Sequence, residues 1–342
     1  MEVYRNISLR PFNTFGLDVS ARTLIIIKNH DDANNLFRHK NVSDANCLVT
    51  GRGSNILYLS DFEGTIIISG IEGIETERKE NQFVLVKAGA GVIWDKLVEW
   101  CVERNLAGIE RLSYIPGTVG AAPVQNIGAY GSEAKDAVVN VEAVSLLDGS
   151  IKNFSNEECR FGYRDSIFKK EEKGKWLVTG VSFRFNTEPD FTCIYNSVAE
   201  EVDRLGGLSL TNIRKAVINI RKNKLPDPEI TGNGGSFFKN PVIKREDAEI
   251  LKERFPDMPL YSESATYTKI PAAWLIEKCG WKGKRYGGAG VWERQPLVIV
   301  NLGNATGMEI FKLSEMIKKS VFEKFGIELE REVEVIGKEF LL

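Results

Sequence analysis

The sequence predicts an α+β protein of two or three domains, with a strand-rich first half and a helix-rich second half. Its length of 342 residues exceeds what one ordinary hydrophobic core supports. A hydrophobic content of 43% and a charged content of 27% are typical of globular proteins. The formal net charge of −2 disfavours a basic surface for nucleic acid or for an anionic membrane.

Short β-branched segments predict the strands of the first half, and Gly, Asn or Asp residues punctuate them. These segments are TLIIIK at 23–28, CLVTG at 47–51, GTIIIS at 64–69 and FVLVKAGAG at 83–91. Between residues 93 and 105, apolar residues recur at helical spacing and predict an amphipathic helix. The pair Asp148-Gly149, between two alternating segments, predicts a β-hairpin with a type I′ turn.

Helix signals dominate the second half. The segment TNIRKAVINIRKNK begins at Thr211, a candidate N-cap, and combines apolar with basic residues as a helix does. Three further elements follow: a helix between Pro271 and Gly280, an apolar strand at 296–301, and a long helix near 306–325 that ends at Gly326.

Scarce histidine and scattered cysteine limit the chemistry. Only His30 and His39 are present, which argues against a His-based metal centre and a Ser-His-Asp triad. An enzyme of this composition would use hydroxyls, carboxylates, lysines and tyrosines for acid-base work. The odd cysteine count without C-x-x-C pairing suits buried thiols in a reducing cytoplasm. The cysteines are Cys47, Cys101, Cys159, Cys193 and Cys279.

Two glycine-rich loops are candidates for binding a cofactor. GRGSNIL at 51–57 could aim backbone N–H groups at a phosphate. It matches neither G-x-G-x-x-G nor a Walker A loop, and taken alone it is better explained as a tight turn. IPGTVGAAPVQNIGAYG at 115–131 is unusually long for a loop without a function, and its small residues leave room for a planar ligand. The alternative is an irregular core loop whose glycines serve turns.

A third stretch, TGNGGSFFKNP at 231–241, places the hydroxyl of Ser236 between two glycines and two phenylalanines. Taken alone, it is typical of a strand entered through a loose turn. In that interpretation Gly232, Gly234 and Gly235 supply positive φ, and the phenylalanines enter the core. The alternative is an exposed catalytic hydroxyl kept dry by its aromatic neighbours.

Several segments together resemble the UDP-N-acetylenolpyruvoylglucosamine reductase family of flavoenzymes, and the resemblance runs nearly end to end. They occur in the family's order and spacing, so their joint signal is more specific than any one of them. The segments are SLRPFNTFG (8–16), GRGSN (51–55), IPGTVGAAPVQNIGAYG (115–131), CRFGYRDSIFK (159–169), KLPDP (224–228), GSFFKNP (235–241) and LEREVEVIG (329–337).

The resemblance implies an α+β fold of the vanillyl-alcohol-oxidase type, in which two small subdomains sandwich FAD, with a C-terminal α+β substrate-binding domain. It places FAD-binding subdomain 1 at 1–70, FAD-binding subdomain 2 at 71–212 and the substrate-binding domain at 213–326. The C-terminal segment 327–342 would return to the first subdomain or to the active site. Such a fold agrees with the missing Rossmann fingerprint.

The resemblance also implies FAD and NADPH as cofactors of a reductase in peptidoglycan precursor synthesis. NADPH would reduce FAD and leave. UDP-N-acetylglucosamine enolpyruvate would then take the same site, receive a hydride at C3 and a proton at C2, and become UDP-N-acetylmuramate. Such a protein would be a cytoplasmic monomer with no nucleic-acid partner and no membrane insertion.

Three positions match the family's catalytic residues. Ser236 would donate the proton, Arg164 would hold the substrate carboxylate, and Glu332 would be a second acid group beside the enolate. Arg164 beside Asp165 could instead form a surface ion pair, and Glu332 belongs to alternating glutamates of an apparent strand. Serine is a weak acid, so a cation must stabilise its alkoxide, and Lys224 is the candidate.

The matching cofactor and substrate positions form two sets. The cofactor-binding set is Gly51, Arg52, Gly53, Ser54, Asn55, Ile115, Pro116, Gly117, Thr118, Gly120, Ala121, Ala122, Gln125, Asn126, Gly128, Ala129 and Tyr130. The substrate-binding set is Tyr195, which would close over the nucleotide, with Lys224, Asn240, Tyr261, Lys269 and Gln295 for the diphosphate and uridine. The resemblance assigns no role to Trp292 or Glu293.

Two other functions compete with this one. An oxidase of the same fold would pass electrons to dioxygen, and it would need neither a C2 proton donor nor a tyrosine over a nucleotide. A non-catalytic UDP-sugar-binding protein would have no need for Ser236, Arg164 and Glu332 together.

Overall fold

The computed structural model describes residues 1–39, 42, 46–191 and 196–337. The chain divides into two compact units. The first comprises Met1–Ile7, Ala21–Gly53 and Glu63–Lys222, and the second comprises Ser8–Ser20, Ser54–Phe62 and Asn223–Leu342. The three-part division at 70, 212 and 326 stays a prediction. In the described part of the chain, no helix is both long and apolar enough to cross a bilayer.

Two sheets and a short hairpin form the framework of the first unit, as far as its residues are described. One sheet has the strand order Glu2–Ser8, Ser20–Ile27, Phe62–Ser69 and Cys47–Thr50. The other has the order Ile151–Ser155, Val138–Ser145, Trp176–Asn186, Phe83–Gly89 and Ile74–Lys79, and the hairpin pairs Gly128–Ala129 with Ser132–Glu133. Helices lie at His30–Asn35, Trp94–Glu103, Asn196–Arg204 and Leu210–Lys224, and 3-10 turns at Leu36–Arg38, Glu110–Leu112, Val119–Ala121, Ala134–Asp136 and Ile167–Lys169.

The helix Trp94–Glu103 packs on the core of the larger sheet because its apolar side chains fall on one face. The Trp94 ring meets Phe183 edge-on, with ring centroids 6.0 Å apart. Such a pair contributes about 0.5–1.5 kcal/mol beyond the burial of its area. Trp94 Nε1 also donates to the Leu112 carbonyl at 2.9 Å, so the polar atom of this buried ring is satisfied.

A half-buried carboxylate on the same sheet organises a small charged cluster. Glu142 accepts hydrogen bonds from Lys87 Nζ at 2.7 Å and Thr179 Oγ1 at 2.8 Å. His30 Nδ1 lies 3.3 Å from Glu142 Oε1. Burial opposes ionisation of Glu142, but the hydrogen bonds from Lys87 and Thr179 outweigh it and lower the pKa of this carboxyl from its ordinary 4.5.

The second unit holds the strands and helices of the C-terminal part of the chain. One sheet has the order Asn233–Ser236, Val298–Asn301, Ala289–Val291 and Arg285–Tyr286, and another has the order Val242–Lys244, Tyr267–Lys269 and Tyr261–Ser262. Glu334–Ile336 pairs in parallel with Ile56–Tyr58. Helices lie at Arg245–Arg254, Ala272–Lys278 and Gly307–Phe325, and a 3-10 turn lies at Arg10–Phe12.

The helix Gly307–Phe325 packs into the core of the second unit. It begins with a capping box between Thr306 and Glu309, and it ends at Gly326, whose φ of 68° is left-handed. A Cβ on Gly307 would lie 1.8 Å from the Tyr58 carbonyl oxygen, so only glycine fits there. The buried hydrophobic face of the helix consists of Ile310, Leu313, Ile317, Val321 and Phe325.

The predicted elements are confirmed, with small shifts at their ends. Strands overlap the predicted ranges 23–28, 47–51, 64–69, 83–91 and 296–301, and helices form within 93–105, 271–280 and 306–325. The predicted hairpin also forms, since Val138–Ser145 pairs with Ile151–Ser155. Period-2 and period-3.6 patterns are local signals, which is why the sequence alone predicts these elements.

Two local predictions are wrong. The hairpin turn is not type I′, because Gly149 has a positive φ of 75° but Asp148 does not. Asp148 Oδ1 instead accepts from Ser150 N at 3.0 Å, and this local bond stabilises a longer connection. The helix predicted to begin after an N-cap at Thr211 begins instead at Leu210. Its cap is Ser209, whose Oγ accepts from Asn212 N at 3.1 Å.

Candidate active site

A buried asparagine orders the glycine-rich backbone that leads to Ser236. Asn233 Oδ1 accepts from Gly235 N at 2.9 Å, and Asn233 Nδ2 donates to the Thr231 carbonyl at 2.9 Å. Thr14 Oγ1 donates to the Asn233 carbonyl at 2.6 Å. These bonds hold the segment in one conformation despite its glycines. Asn233 has no role in the family resemblance, and its value follows only from these contacts.

The glycines before Ser236 serve two different purposes. Gly235 has a left-handed φ of 69°. A Cβ on Gly232 would lie 2.2 Å from Phe15 O, and a Cβ on Gly234 would lie 2.7 Å from Phe15 Cε2. Gly232 and Gly234 are therefore required for close packing against Phe15. The prediction that all three glycines supply positive φ is correct for Gly235 and wrong for the other two.

A β-bulge brings Glu332 to the chain beside Ser236. The N–H groups of Glu332 and Val333 both point to the Phe237 carbonyl oxygen, at 2.9 and 3.5 Å. In a β-bulge, two successive residues of one strand lie opposite a single residue of the other, and the side chains of the bulged strand are redirected. Val333 is 3% exposed and enters the core, whereas Glu332 is half-buried outside it. The predicted burial of the two phenylalanines after Ser236 is confirmed.

Asn55, a member of the predicted cofactor set, forms hydrogen bonds with the backbone of Glu332 and of Glu334. Its Nδ2 donates to the Glu332 carbonyl at 3.0 Å, and its own carbonyl accepts from Glu334 N at 2.9 Å. The second bond precedes the parallel pairing of Glu334–Ile336 with Ile56–Tyr58. Asn55 therefore stabilises the segment on which Glu332 lies, and its contact with a cofactor stays a prediction.

Arg164 lies in a tight turn of the first unit. Its φ of 54° is left-handed, and the turn is closed by Gly162 N donating to Asp165 O at 3.0 Å. Arg164 Nη2 donates to the Gly128 carbonyl at 2.8 Å. Asp165 forms its ion pair with Lys170, so a surface pair with Arg164 is not supported.

The entrance to the 115–131 loop is clamped by charged side chains of the first unit. Tyr114 has a left-handed φ of 59°, and its N–H donates to Asp95 Oδ1 at 2.5 Å. Arg221 Nε donates to the Tyr114 carbonyl at 3.0 Å. Arg214 binds Asp95 in a bidentate pair at 2.6 and 2.9 Å. Burial lowers the pKa of Arg221.

Within the loop, Asn126 makes a connection towards the Arg164 turn. Its Nδ2 donates to Glu133 Oε2 and to the Gly162 carbonyl, both at 3.0 Å. Its Oδ1 accepts from Lys135 N at 3.0 Å. Asn126 is fully buried with a left-handed φ of 46°, which these bonds stabilise. Its role in binding a cofactor stays a prediction.

The two glycine-rich loops meet at Gly51 and Thr118. A Cβ on Gly51 would lie 2.9 Å from Thr118 Oγ1, so glycine permits this approach. Thr118 is 7% exposed, and within the described residues its hydroxyl has no hydrogen-bond partner. The hydroxyl of this largely buried residue is still accessible, and its place beside a turn rich in backbone N–H groups suits a phosphate or another polar edge of FAD. The donor set thus fits the predicted cofactor.

The remaining predicted cofactor positions lie along the same loops. Gly53, Gly117, Gly120 and Ala122 are buried; Ser54, Ile115, Ala121, Gln125, Gly128, Ala129 and Tyr130 are half-buried; Arg52 and Pro116 are exposed. At Gly120 the close neighbour is protein, since a Cβ would lie 2.6 Å from Ala90 Cβ. That glycine serves packing, as the core-loop alternative proposes.

Three predicted substrate positions lie around one small sheet of the second unit. Tyr261 pairs with Lys269 across the strands, and the Lys269 ammonium lies 2.6 Å from Glu263 Oε2. Asn240 Oδ1 accepts from Ala272 N at 2.9 Å at the start of the helix Ala272–Lys278. Of the others, Lys224 is exposed, Gln295 is half-buried, and Tyr195 lies outside the described residues.

Two family models and several known reductases match this chain. A family model described as FAD binding domain matches residues 21–155, and with the reductases that match the whole chain it makes the chain an FAD-dependent oxidoreductase. A second model, UDP-N-acetylenolpyruvoylglucosamine reductase, C-terminal domain, matches residues 227–336. A UDP-N-acetylenolpyruvoylglucosamine reductase from Amoebophilus asiaticus is 44% identical over 98% of this chain and 100% of its own length. The relative from Pseudomonas aeruginosa is 42% identical over 97% of this chain and 98% of its own.

The chain belongs to the UDP-N-acetylenolpyruvoylglucosamine reductase family. The crystal structure of the Thermus caldophilus enzyme superposes with a TM-score of 0.70 and 24% identity, covering 98% of this chain and 100% of that one. The predicted fold class is confirmed by this match and by the FAD-domain model. The predicted function, reduction of the enolpyruvyl UDP-sugar in peptidoglycan precursor synthesis, is confirmed by family membership, which leaves no support for the oxidase alternative.

Proposed function

We propose that NADPH is the reductant and that NADPH and UDP-N-acetylglucosamine enolpyruvate use one site in turn. Ser236 would then be the proton donor at C2, with Glu332 and Arg164 at the developing enolate. The observation that supports this most is the bulge at Glu332 and Val333. It releases the Glu332 carboxyl from the core while keeping its backbone bonded to the residue after Ser236.

FAD, when bound, supplies the hydride for C3. The residues suited to hold it are the Thr118 hydroxyl and the backbone of the two glycine-rich loops. The clamp on Tyr114 by Asp95 and Arg221 would keep the longer loop in place. Preorganised loops of this kind bind without an ordering cost at the moment of binding.

In the proposed reaction, Arg164, Glu332 and Ser236 would stabilise negative charge on the substrate and deliver a proton to it. Arg164 would present a planar cation to the substrate carboxylate, because a guanidinium fork matches two carboxylate oxygens. Glu332 would donate a hydrogen bond or proton to the enolate oxygen, and Ser236 would pass its hydroxyl proton to C2. The packed phenylalanines beside Ser236 exclude water on that side.

Substrate binding would use polar and aromatic side chains, most of them in the second unit. Lys224 and Lys269 would meet the diphosphate as point charges, and Tyr261 would cover the uracil or the sugar. Asn240 and Gln295 would supply amide groups, and Tyr195 would close over the nucleotide. A cytoplasmic location is part of the proposal, and it is supported by the buried thiols of Cys101 and Cys159.

An anaerobic absorbance experiment tests the proposed function. The purified protein should show an oxidised flavin spectrum, which NADPH bleaches. Addition of the enolpyruvyl UDP-sugar should restore that spectrum with formation of UDP-N-acetylmuramate. A flavin that NADPH leaves oxidised would refute NADPH as reductant, and a bleached flavin that ignores the substrate would refute the substrate.

A further inference from the structure

The indole of Trp292 contacts the backbone of a predicted substrate residue. Its Nε1 donates to the carbonyl oxygen of Lys224 at 3.1 Å. Lys224 is the last residue of the helix Leu210–Lys224, and the final carbonyls of a helix have no partner within it. The Trp292 N–H therefore satisfies a carbonyl at the point where the chain leaves the helix.

Trp292 is itself held by the loop that carries Gln295. Its N–H donates to the Val298 carbonyl at 2.9 Å, and Val298 N donates to the Gln295 carbonyl at 3.0 Å. Val298 lies opposite Ser236 in the antiparallel sheet. The Trp292 side chain thus links Lys224 to the loop and strand next to the candidate catalytic serine.

The ammonium group of Lys224 differs from those of two other lysines in this unit. Lys239 pairs with Glu330 and Lys269 pairs with Glu263, both at 2.6 Å. In the described chain, no carboxylate pairs with Lys224, whose side chain is exposed. Its charge is available to an anionic ligand. A long lysine side chain loses rotamer entropy when it binds a ligand. A fixed backbone limits the positions from which its ammonium group can reach that ligand.

We propose that Trp292 is a positioning residue for diphosphate binding. Its indole N–H fixes the backbone of Lys224 so that the ammonium meets the diphosphate of the nucleotide ligand. The inference rests on the proposed function of Lys224, and it gives a role to a tryptophan that the family resemblance leaves without one.

The first test compares two tryptophan-to-phenylalanine variants in the complete, FAD-loaded protein. Trp292→Phe keeps an aromatic ring but removes the N–H. Trp281→Phe is the matched control, because Trp281 Nε1 donates at 2.5 Å to Ser320 Oγ within the same unit. Loss of one such hydrogen bond should raise the KM of the UDP-sugar roughly 3- to 10-fold in Trp292→Phe. Trp281→Phe should keep the wild-type KM.

A binding measurement separates positioning from general damage. Competition with UDP should weaken in Trp292→Phe by a factor like that for KM, whereas competition with uridine, which has no diphosphate, should be unchanged. Equal loss for both ligands would overturn the inference. Trp292→His, which retains a ring N–H, should recover part of the UDP affinity that Trp292→Phe loses. Trp292→Leu, which also lacks a side-chain N–H, replaces Trp292→Phe if that variant does not fold.

The double variant decides whether Trp292 acts through Lys224. Lys224→Met should raise KM by itself, and adding Trp292→Phe to it should change KM little further. Additive effects would overturn the inference and leave the role of Lys224 intact. If Lys224→Met has a wild-type KM, the assignment of Lys224 fails and the inference fails with it, while the anaerobic flavin test of the proposed function stands separately.

Discussion

Ser236→Ala separates the proposed chemistry from the fold. In the described residues, Ser236 Oγ has no hydrogen-bond partner, and the residue is half-buried. The backbone around it is held by Asn233 and by packing against Phe15, and neither depends on the hydroxyl. Removing one oxygen should therefore change the free energy of unfolding by less than about 0.5 kcal/mol.

The loss of turnover should be much larger than the loss of stability. A positioned proton donor typically contributes about 10²- to 10⁴-fold to a rate, equivalent to about 2.7–5.4 kcal/mol of activation free energy. This range exceeds the expected change in stability several-fold. The two effects are thus distinguishable in one preparation of the variant.

The assay is anaerobic stopped-flow absorbance of the flavin. In Ser236→Ala, NADPH should bleach the flavin at nearly the wild-type rate, and the enolpyruvyl UDP-sugar should restore the spectrum at least about 100-fold more slowly. Ser60→Ala, at an exposed position of the same unit, is the control and should behave as wild type. Normal turnover of Ser236→Ala would refute the proton-donor role, and slow bleaching by NADPH would assign Ser236 to the cofactor instead.

Three further predictions concern the support of the site and the stability of the fold. Gly120→Ala should lower the free energy of unfolding by about 1–3 kcal/mol and reduce the flavin content per chain, because its Cβ would lie 2.6 Å from Ala90 Cβ; full flavin content with an unchanged Tm would contradict this. Asn55→Ala should lower kcat per bound flavin roughly 3- to 10-fold, because one bond to the Glu332 carbonyl is lost; steady-state kinetics checks it, and a wild-type kcat would contradict it. The lowered pKa of Glu142 contributes stability that is present above pH 4.5 and lost as pH falls through its folded pKa. As pH falls, the Tm of Glu142→Gln should therefore decrease less steeply than that of the wild type. The difference in the free energy of unfolding should be less than about 1 kcal/mol, because the group is partly exposed. An identical decrease of Tm with pH in both proteins would contradict this prediction.

The sequence predicts local structure well because the relevant signals are local. Alternation and helical spacing predict the strands and helices, and the predicted stop at Gly326 agrees with the observed end of the helix at Phe325. The wrong type I′ turn has a local cause as well. The Asp148 side chain competes for the backbone N–H of Ser150, and this bond favours another turn.

The chemistry of the site follows from the sequence only in part. Residue types and motif order identify the family and nominate Ser236, Arg164 and Glu332. They do not predict that Gly232 and Gly234 make room for Phe15, because that aromatic ring lies far away in the sequence.

By itself, the sequence determined the α+β class, the succession of elements and the family, because these depend on periodicity, turn residues and ordered motifs. The tertiary structure alone decided how the supporting contacts form. It placed Val333 in the core and Glu332 outside it, bonded Asn55 to the Glu332 carbonyl, and bonded Trp292 to the Lys224 carbonyl. Each contact joins segments that are distant along the chain and involves a backbone carbonyl. Since every residue carries such a carbonyl, no residue pattern in the sequence marks which one will be bound.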